Sequence, residues 1–353
     1  EPFEPFIRRF GDSQTSLTPA LEAFTPDAIR AWADRFGVET FIGTSGRVFP
    51  KGMKAAPLLR AWLRQLRANG LHVHVRHKWT GWDAEGALNF QTPAGNVQAK
   101  PAVTILALGG ASWPTLGSDG AWVAYLEKQG IKTVPLKAAN CGFDADWSDH
   151  MRTHVAGQPL KGVTLRYAGQ QAHGDCMVTD TGLEGGPVYT LSGVLRDAVE
   201  REGRAMLAVD LVPDIDETAL IERLSKPRGK KSMATHLRRT VALTGAKVAL
   251  LREGADPAIF ADSVKLAARI KAVPVNLQRT RPIAEAISTA GGIAWDQLTP
   301  GFELKVMPGV YAVGEMLDWD APTGGYLLTA CLATGRWAGE DIASKLSPKP
   351  LLR

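Results

Sequence analysis

Cysteine is scarce in this chain, and the few that occur are far apart. Cys141, Cys176 and Cys331 form no CxxC pair and none of the spacings that zinc sites use. We therefore expect reduced thiols that serve in packing, as in cytosolic proteins, and no metal ion. Long apolar runs are also lacking: no stretch approaches the length that spans a bilayer, and the residues from Glu1 onward show no signal-peptide pattern. These absences predict a cytoplasmic protein with no metal and no membrane partner.

What is present is the composition of an ordinary globular protein. Its 353 residues are 45% hydrophobic and 22% charged, which suits a chain with two or more cores. The net charge of +5 is a mild basic bias that permits contact with nucleic acid without requiring it.

The most informative stretch is 308–339, PGVYAVGEMLDWDAPTGGYLLTACLATGRWAG. Its apolar run 310–313 predicts a buried strand that ends at Gly314. Glu315 and Asp318 follow directly, so we expect two exposed carboxylates at the carboxyl end of that strand. In open α/β sheets this is the edge at which ligands bind.

The same stretch then becomes helical after a Gly-Gly step. Gly324 and Gly325 precede a helix that starts at Tyr326 and has a flat face of small residues, which suits close packing against a sheet. That face consists of Ala330, Thr334 and Ala338. Backbone N–H groups at such a step can approach a flat ligand, and the helix start favours negative charge, such as a flavin gains when it accepts a hydride. Two ordinary turn glycines are the alternative, but they do not explain the carboxylates ahead of them.

The wording GEMLDWDAPTGGYLLTACLATGRWAG resembles the C-terminal flavin motif (GE-x-x-D…GGY…A…G-x-x-AG) of the BaiN/RdsA-type flavoproteins. These are also called YhiN-like or aminoacetone-oxidase-family NAD(P)/FAD-dependent oxidoreductases. The resemblance extends through TSGRVFPKGMKA, LALGGASWPTLGSDG, TGLEGGPVY and AISTAGGIAW, and so covers nearly the whole chain. It implies FAD contacts from Trp79, Gly109, Gly110, Gly314, Glu315, Asp318, Gly324, Gly325, Tyr326 and Leu327.

The resemblance also implies a segment that this sequence does not show. FAD-binding domains of this type begin with a strand, a GxGxxG turn and a helix. This chain opens instead in a loop, from Glu1 to Phe6, so we expect about 30 or more residues, one βαβ unit, to be missing ahead of it. No second nucleotide fingerprint occurs, which implies that NAD(P)H visits the flavin without a domain of its own.

A second stretch that carries the resemblance lies upstream. Residues 103–108 form an apolar run that predicts a buried parallel strand ending at Gly109 and Gly110, and in the family this strand end passes beside the FAD pyrophosphate. Trp79 belongs to a segment, 78–81, that resembles the one facing the adenine.

Residues 55–75 predict an amphipathic helix, 55–69, followed by a strand, 71–75. His72, His74 and His77 lie in or beside that strand. Histidines two apart on a strand share a face without converging on one ion, so we interpret them as polar positions of a half-exposed strand.

The substrate side is assigned by resemblance. The motif ETFIGTSGRVFP makes Ser45, Arg47 and Lys51 candidates to meet an anionic substrate or phosphate, with an exposed surface turn as the alternative. In the family the inserted segment closes over the flavin, which makes Glu184 and Tyr189 candidates as well, with turn or packing roles as the alternative.

Together the motifs predict an α/β fold. An FAD-binding, Rossmann-like domain is divided between residues 1–135 and 291–353. It is interrupted by a β-rich, barrel-like insertion (136–213), a helical insertion (214–272) and return strands of the β-rich part (273–290), because glycines and prolines punctuate the first of these at close intervals. In the helical part we expect helices at 216–224, 232–243 and 257–271.

The function that the resemblance implies is that of an FAD-dependent oxidoreductase. It would transfer a hydride between flavin N5 and an organic substrate, by reducing an activated C=C bond with NAD(P)H as donor. Members of the group reduce the uracil ring of ribosomal RNA or enone steroids, or are described as oxidising small amines. Amine oxidation stays open, and so does RNA binding, catalytic or not, because six Lys or Arg and no acid lie between Lys226 and Arg239. The chain has Leu327 where GGYN is commoner, which marks a separate subgroup.

Overall fold

The computed structural model describes residues 1–44 and 46–347, and these fall into two compact units. The first, here called the split unit, comprises Glu1–Lys137 and the stretch from Thr289. The second, the barrel unit, is Ala138–Ser288.

The first part of the split unit alternates helices with short strands. Its elements are α1 (Phe3–Ile7), α2 (Gln14–Ala23), α3 (Pro26–Asp34), β1 (Thr40–Ile42), β2 (Val48–Pro50), α4 (Ala56–Ala68), β3 (Lys78–Trp82), β4 (Leu88–Thr92), β5 (Gly95–Ala99), β6 (Thr104–Leu106) and α5 (Trp122–Glu127). Strands β1 and β2 form an antiparallel hairpin, and β3, β4 and β5 form an antiparallel sheet. Helix α4 confirms the helix predicted over 55–69.

The strand predicted over 71–75 is wrong. No strand forms there, and Leu71, Val73 and Val75 are 41%, 49% and 66% exposed. The alternating pattern is real, but a strand needs a hydrogen-bonded neighbour, and none of the described strands pairs with this segment.

The barrel unit is built around six antiparallel strands. After β7 (Thr133–Ala139), they are β8 (Phe143–Ala145), β9 (Pro159–Tyr167), β10 (Gln170–Val178), β11 (Gly182–Glu184), β12 (Ala205–Asp210) and β13 (Val273–Thr280). They close in the order β10-β11-β8-β13-β12-β9, which confirms the barrel-like insertion. Phe143, Leu165 and Leu207 are fully buried in its core.

Helices of the barrel unit share that core. They are α6 (Gly186–Thr190), α7 (Ser192–Glu202), α8 (Glu217–Leu224), α9 (Met233–Val241), α10 (Gly245–Arg252) and α11 (Ser263–Lys271). Asp216 and Ser232 cap α8 and α9 through their side chains, as their residue types favour. Helix α10 had no counterpart in the predictions.

The chain returns to the split unit through β14 (Ser288–Ile293), which pairs with β7, and continues to β15 (Val310–Ala312) and α12 (Tyr326–Leu346). Strands β15 and β6 pair in parallel, with Tyr311 opposite Ile105, which confirms the predicted strands 310–313 and 103–108. The small-residue face of α12 is buried as predicted, at Ala330, Thr334 and Ala338. Among the described helices, none is both long and apolar enough to cross a membrane.

Candidate active site

The site is built where β15 ends, and Glu315 ties its parts together. Its Oε1 accepts a hydrogen bond from the backbone N–H of Thr289 at 2.8 Å, and its carboxylate also accepts from the N–H of Gly110. Burial raises the pKa of Glu315 despite these bonds. The expected exposure of this carboxylate is therefore wrong, because Glu315 is half-buried and joins three separate segments of the chain.

Thr289 reinforces the same junction from its side chain. Its Oγ1 accepts from the N–H of Ala111 at 2.9 Å. A β-carbon on Gly110 would stand 2.3 Å from Thr289 Oγ1, so only glycine allows this approach. Sequence reasoning did not single out Thr289, although the segment AISTAGGIAW belonged to the resemblance.

Asp318 is the second carboxylate, and it differs from the first. Its backbone is fixed, since its N–H donates to Ile293 O at 3.1 Å and its carbonyl accepts from Ser13 Oγ at 2.9 Å. Its carboxylate is half-buried, so the exposure expected for it is also wrong, and burial raises its pKa. It has no hydrogen-bond or ion-pair partner among the described residues. Such a group is disposed to accept hydrogen bonds from the hydroxyls of a ligand.

The Gly-Gly step lies between Asp318 and the start of helix α12 in the chain. Gly324 and Gly325 adopt φ of 132° and 100°, which favour glycine, and a β-carbon on Gly325 would meet no heavy atom within 4 Å. Helix α12 starts immediately afterwards, with its first-turn N–H groups at this open face. Gly314, with φ of 69°, is held to the same helix by a 3.0 Å hydrogen bond from its N–H to Thr334 Oγ1.

Tyr326 and Leu327 pack into the protein. The ring of Tyr326 stacks on Phe6 at a centroid distance of 5.3 Å, and its hydroxyl donates to Glu1. Burial, together with that hydrogen bond, raises the pKa of Tyr326 to about 12. Leu327 packs against the core shared by β15 and the first helices. Their predicted role in cofactor binding stays a prediction. Because both side chains pack into the protein, such a role would fall to the backbone atoms of Tyr326 and Leu327.

Strand β3 and the loop after β6 carry polar atoms that lack protein partners. The buried atoms Trp79 Nε1, Ser112 Oγ and Ser118 Oγ have no hydrogen-bond partner among the described residues. A β-carbon on Gly109 would stand 2.9 Å from Ser118 Oγ, and Gly109 O accepts from Trp122 Nε1 at 2.9 Å. Trp79 also lines a cleft of about 710 Å³ in the split unit. Its lining includes His74, Arg76, His77 and Lys78, and also Asp119, which forms an ion pair with Lys78.

The hairpin β1–β2 brings one more candidate to the Gly-Gly step. A β-carbon on Gly324 would stand 3.3 Å from Arg47 Nε. Lys51, in contrast, is held by an ion pair with Glu39, whose hydrogen bond raises the pKa of Lys51. Ser45 lies outside the described residues.

Glu184 and Tyr189 belong to the barrel unit. Glu184 is exposed at the end of β11, and Tyr189 is half-buried on α6. Burial, and then the charge of Glu184, raises the pKa of Tyr189, so its hydroxyl is a hydrogen-bond donor at neutral pH.

The basic run of the barrel unit is solvent-exposed. Lys226, Arg228, Lys230, Lys231, Arg238 and Arg239 have no ion-pair partner among the described residues. Arg238 also lines a cleft of about 680 Å³ together with Arg252 and His150. Across the described part of the chain, no group of three or more His, Cys, Asp or Glu is arranged to hold a metal ion.

The family model described as "HI0933-like protein Rossmann domain" matches residues 1–341. This match confirms the resemblance and the Rossmann-like α/β fold that the sequence predicts.

Two curated relatives are similar to most of the chain. The 3-dehydro-bile acid delta(4,6)-reductase of Clostridium scindens is 23% identical over 319 residues, which are 85% of this chain and 76% of the relative. The ribosomal RNA dihydrouridine synthase of Escherichia coli (strain K12) is 25% identical over 254 residues, which are 69% of this chain and 61% of the relative.

Solved structures resemble the chain more distantly. Sdh1 of Mycobacterium smegmatis in complex with UQ1 has a TM-score of 0.46 at 14% identity, over 98% of this chain and 59% of its own. The 3-ketosteroid delta1-dehydrogenase of Sterolibacterium denitrificans has a TM-score of 0.43 at 13% identity, over 84% of this chain and 64% of its own. The chain thus spans less than two thirds of three of these four proteins.

Proposed function

The chain belongs to the HI0933-like protein family and is an FAD-dependent oxidoreductase; from this premise we propose that it transfers a hydride between flavin N5 and an organic substrate. The finer proposal is reduction of an activated C=C bond with NAD(P)H as donor. It is supported by the Clostridium scindens relative, which is named a delta(4,6)-reductase.

The residues of the split unit fit FAD. The cofactor carries hydroxyl groups and hydrogen-bond acceptors along its length, and the site offers an unpartnered carboxylate at Asp318 together with buried, unpartnered polar atoms at Trp79, Ser112 and Ser118. Gly109, Gly110, Gly324 and Gly325 keep side chains away from the same face. The unpartnered carboxylate of Asp318 is the observation that carries the proposal, because an acceptor half-buried without a donor costs free energy unless a ligand supplies one.

FAD when bound supplies the hydride chemistry, and the chain holds and orients it. We assign Asp318 to ligand hydroxyls, Trp79 and the loop at Gly109 to the adenosine and pyrophosphate half, and the Gly-Gly step to the flat ring. Glu315 shapes the site by fastening Gly110 to β14. We place Glu184 and Tyr189 on the substrate side, where the protonated Tyr189 hydroxyl suits a hydrogen bond to a substrate carbonyl.

Asp318→Ala tests this assignment. We expect FAD affinity to fall by at least about tenfold, the value of a hydrogen bond to a charged group, while far-UV circular dichroism stays native. Asp12→Ala, an exposed aspartate of the same unit, serves as the control and should retain flavin. FAD titration followed by absorbance measures both. These measurements use the full-length protein, and full-length wild-type protein that is colourless and cannot be loaded with FAD would contradict the proposed function.

RNA is the second candidate substrate, favoured by the unpaired cations between Lys226 and Arg239. Phosphate contacts release counterions and make binding depend on salt. If the segment binds RNA, Lys230→Ala with Lys231→Ala should weaken binding and reduce the salt slope by roughly one to two units. The segment contains no aromatic residue for base stacking, which favours a small substrate instead.

The experiment compares RNA titrations at two salt concentrations. Arg60→Ala with Arg64→Ala, two exposed cations of α4, is the matched control. Flavin content and reactivity toward a small electron acceptor should be unchanged in the Lys230/Lys231 variant. Identical RNA binding by wild type and this variant discards the RNA candidate for this segment.

A further inference from the structure

Arg47 and the Gly-Gly step are far apart in sequence but meet in the structure. Within the hairpin β1–β2, the N–H of Gly43 donates a 2.8 Å hydrogen bond to Arg47 O. The Arg47 side chain lies at Gly324, where a β-carbon would stand 3.3 Å from its Nε. The contact joins TSGRVFP to GGYL, two motifs that sequence reasoning assigned to different partners.

The charge of Arg47 is not used by the described part of the protein. Its side chain is exposed and makes no hydrogen bond or ion pair there. The other cation of the hairpin, Lys51, is neutralised by Glu39. Because an arginine is charged at every physiological pH, Arg47 brings a permanent positive charge to the Gly-Gly step.

The step itself is open on the side where a flat ring would bind. Nothing lies within 4 Å of a β-carbon position on Gly325, and the carboxylate of Asp318 has no described partner. The guanidinium is planar and can lie against a ring edge or donate two parallel hydrogen bonds to it.

We infer that Arg47 contacts the pyrimidine side of the flavin and stabilises the negative charge that hydride acceptance places there. The inference rests on the proposed function and reassigns Arg47 from the substrate to the cofactor. An opposite charge within about 4–6 Å favours the charged form of its partner. Arg47 therefore makes the bound flavin easier to reduce, whichever substrate the protein uses.

The test uses FAD-loaded protein without substrate. Two quantities are measured: the reduction potential of the flavin, by equilibration with a redox dye, and the dissociation constant of sulfite, an anionic probe whose binding also places negative charge on the ring. In Arg47→Gln we expect a lower potential and roughly tenfold weaker sulfite binding. Arg47→Lys, which keeps the charge, should recover most of both, and Arg64→Gln, an exposed arginine of α4, should match wild type.

The outcomes separate the inference from the function on which it rests. A loaded Arg47→Gln protein with wild-type potential and sulfite affinity overturns the inference, even if its KM for substrate rises, because Arg47 would then face the substrate. Full-length wild-type protein that binds no flavin removes the proposed function, and the inference with it. Circular dichroism confirms that each variant is folded.

Discussion

Asp144 of the barrel unit and Asp318 of the split unit are both carboxylates drawn into the protein, and their surroundings differ. Asp144 accepts hydrogen bonds from Arg279 and Arg281. Burial opposes its ionisation, but these two bonds prevail and hold the pKa of Asp144 below its usual value. Asp318 has no such partner among the described residues, and burial raises its pKa.

The contrast extends beyond this pair. Asp210, fully buried in the barrel unit, is held by Arg166 at 3.0 Å and Lys271 at 2.7 Å. In the split unit, by contrast, Trp79, Ser112 and Ser118 all keep unpartnered polar atoms. The two buried aspartates of the barrel unit are satisfied by cations of that unit, although Asn276 Oδ1 there has no hydrogen-bond partner among the described residues. In the split unit, a carboxylate and three further polar side chains are left for a ligand to satisfy.

Substitution of glycines should give the largest difference between the two units. A β-carbon on Gly182 in β11 would stand 1.9 Å from Phe143 O, within the barrel backbone. Gly182→Val should therefore lower the free energy of unfolding of the barrel unit by about 3 kcal/mol or more, because backbone atoms of β8 must shift. Urea unfolding followed by hydrogen exchange of the β8 amides measures the loss.

Gly186 is the control for Gly182. It lies four residues further along, at the start of α6, where a β-carbon would meet nothing within 4 Å. Gly186→Ala should change stability by less than about 0.5 kcal/mol. A Gly182→Val protein as stable as Gly186→Ala would show that the barrel is not closed tightly at β11.

Gly325→Val is the counterpart in the split unit. The added β-carbon meets no heavy atom within 4 Å, so the main cost to folding is the unfavourable φ of 100°, about 1–3 kcal/mol. We expect loss or displacement of flavin with near-native helix content, measured by flavin absorbance and circular dichroism. Gly335→Ala, in the middle of α12, should keep its flavin. Unchanged flavin affinity and reduction rate in Gly325→Val would mean that these are only turn glycines.

In flavin-free protein, Asp144 and Asp318 should change the stability of the fold with pH in opposite directions, which is a smaller effect. Asp144, with its lowered pKa, contributes stability that is present at neutral pH and lost as pH falls through its folded pKa. Asp318, with its raised pKa, destabilises the fold when charged, and lowering the pH relieves this cost.

Asp144→Asn should therefore lower the free energy of unfolding at pH 7 by about 1–2 kcal/mol. This is less than the loss of a fully buried ion pair would cost, because Arg279 is exposed and its interaction with Asp144 is screened by solvent. The difference from wild type should shrink as pH falls below about 4. Asp318→Asn should leave stability at pH 7 unchanged or raise it. Urea titrations from pH 3 to pH 7 check both, and equal losses in the two variants would contradict the comparison.

Local patterns predicted much of the fold. The run 310–313 gave β15, and the small residues Ala330, Thr334 and Ala338 gave the buried face of α12, because both signals lie within one element. The strand predicted over 71–75 was wrong because strands depend on partners that a local pattern does not contain.

Predictions for the site were limited in the same way, because contacts between distant segments leave no local pattern. The glycines and carboxylates indicated the site by their residue types alone. The contact between Arg47 and Gly324 could not be predicted in this way, because it joins residues far apart in sequence. The packing of Tyr326 on Phe6 and the junction of Glu315 with Thr289 are equally non-local. Spacing along the chain carries no information about such pairs.

The pairing of β7 with β14 has a consequence for how this protein evolves. The chain leaves the split unit through β7 and returns through β14, and paired strands lie about 4.8 Å apart. A segment whose ends are this close can be lengthened, shortened or exchanged without moving the strands that it joins. The barrel unit is in this sense an exchangeable insertion, whose length and content can change while β7 and β14 stay paired.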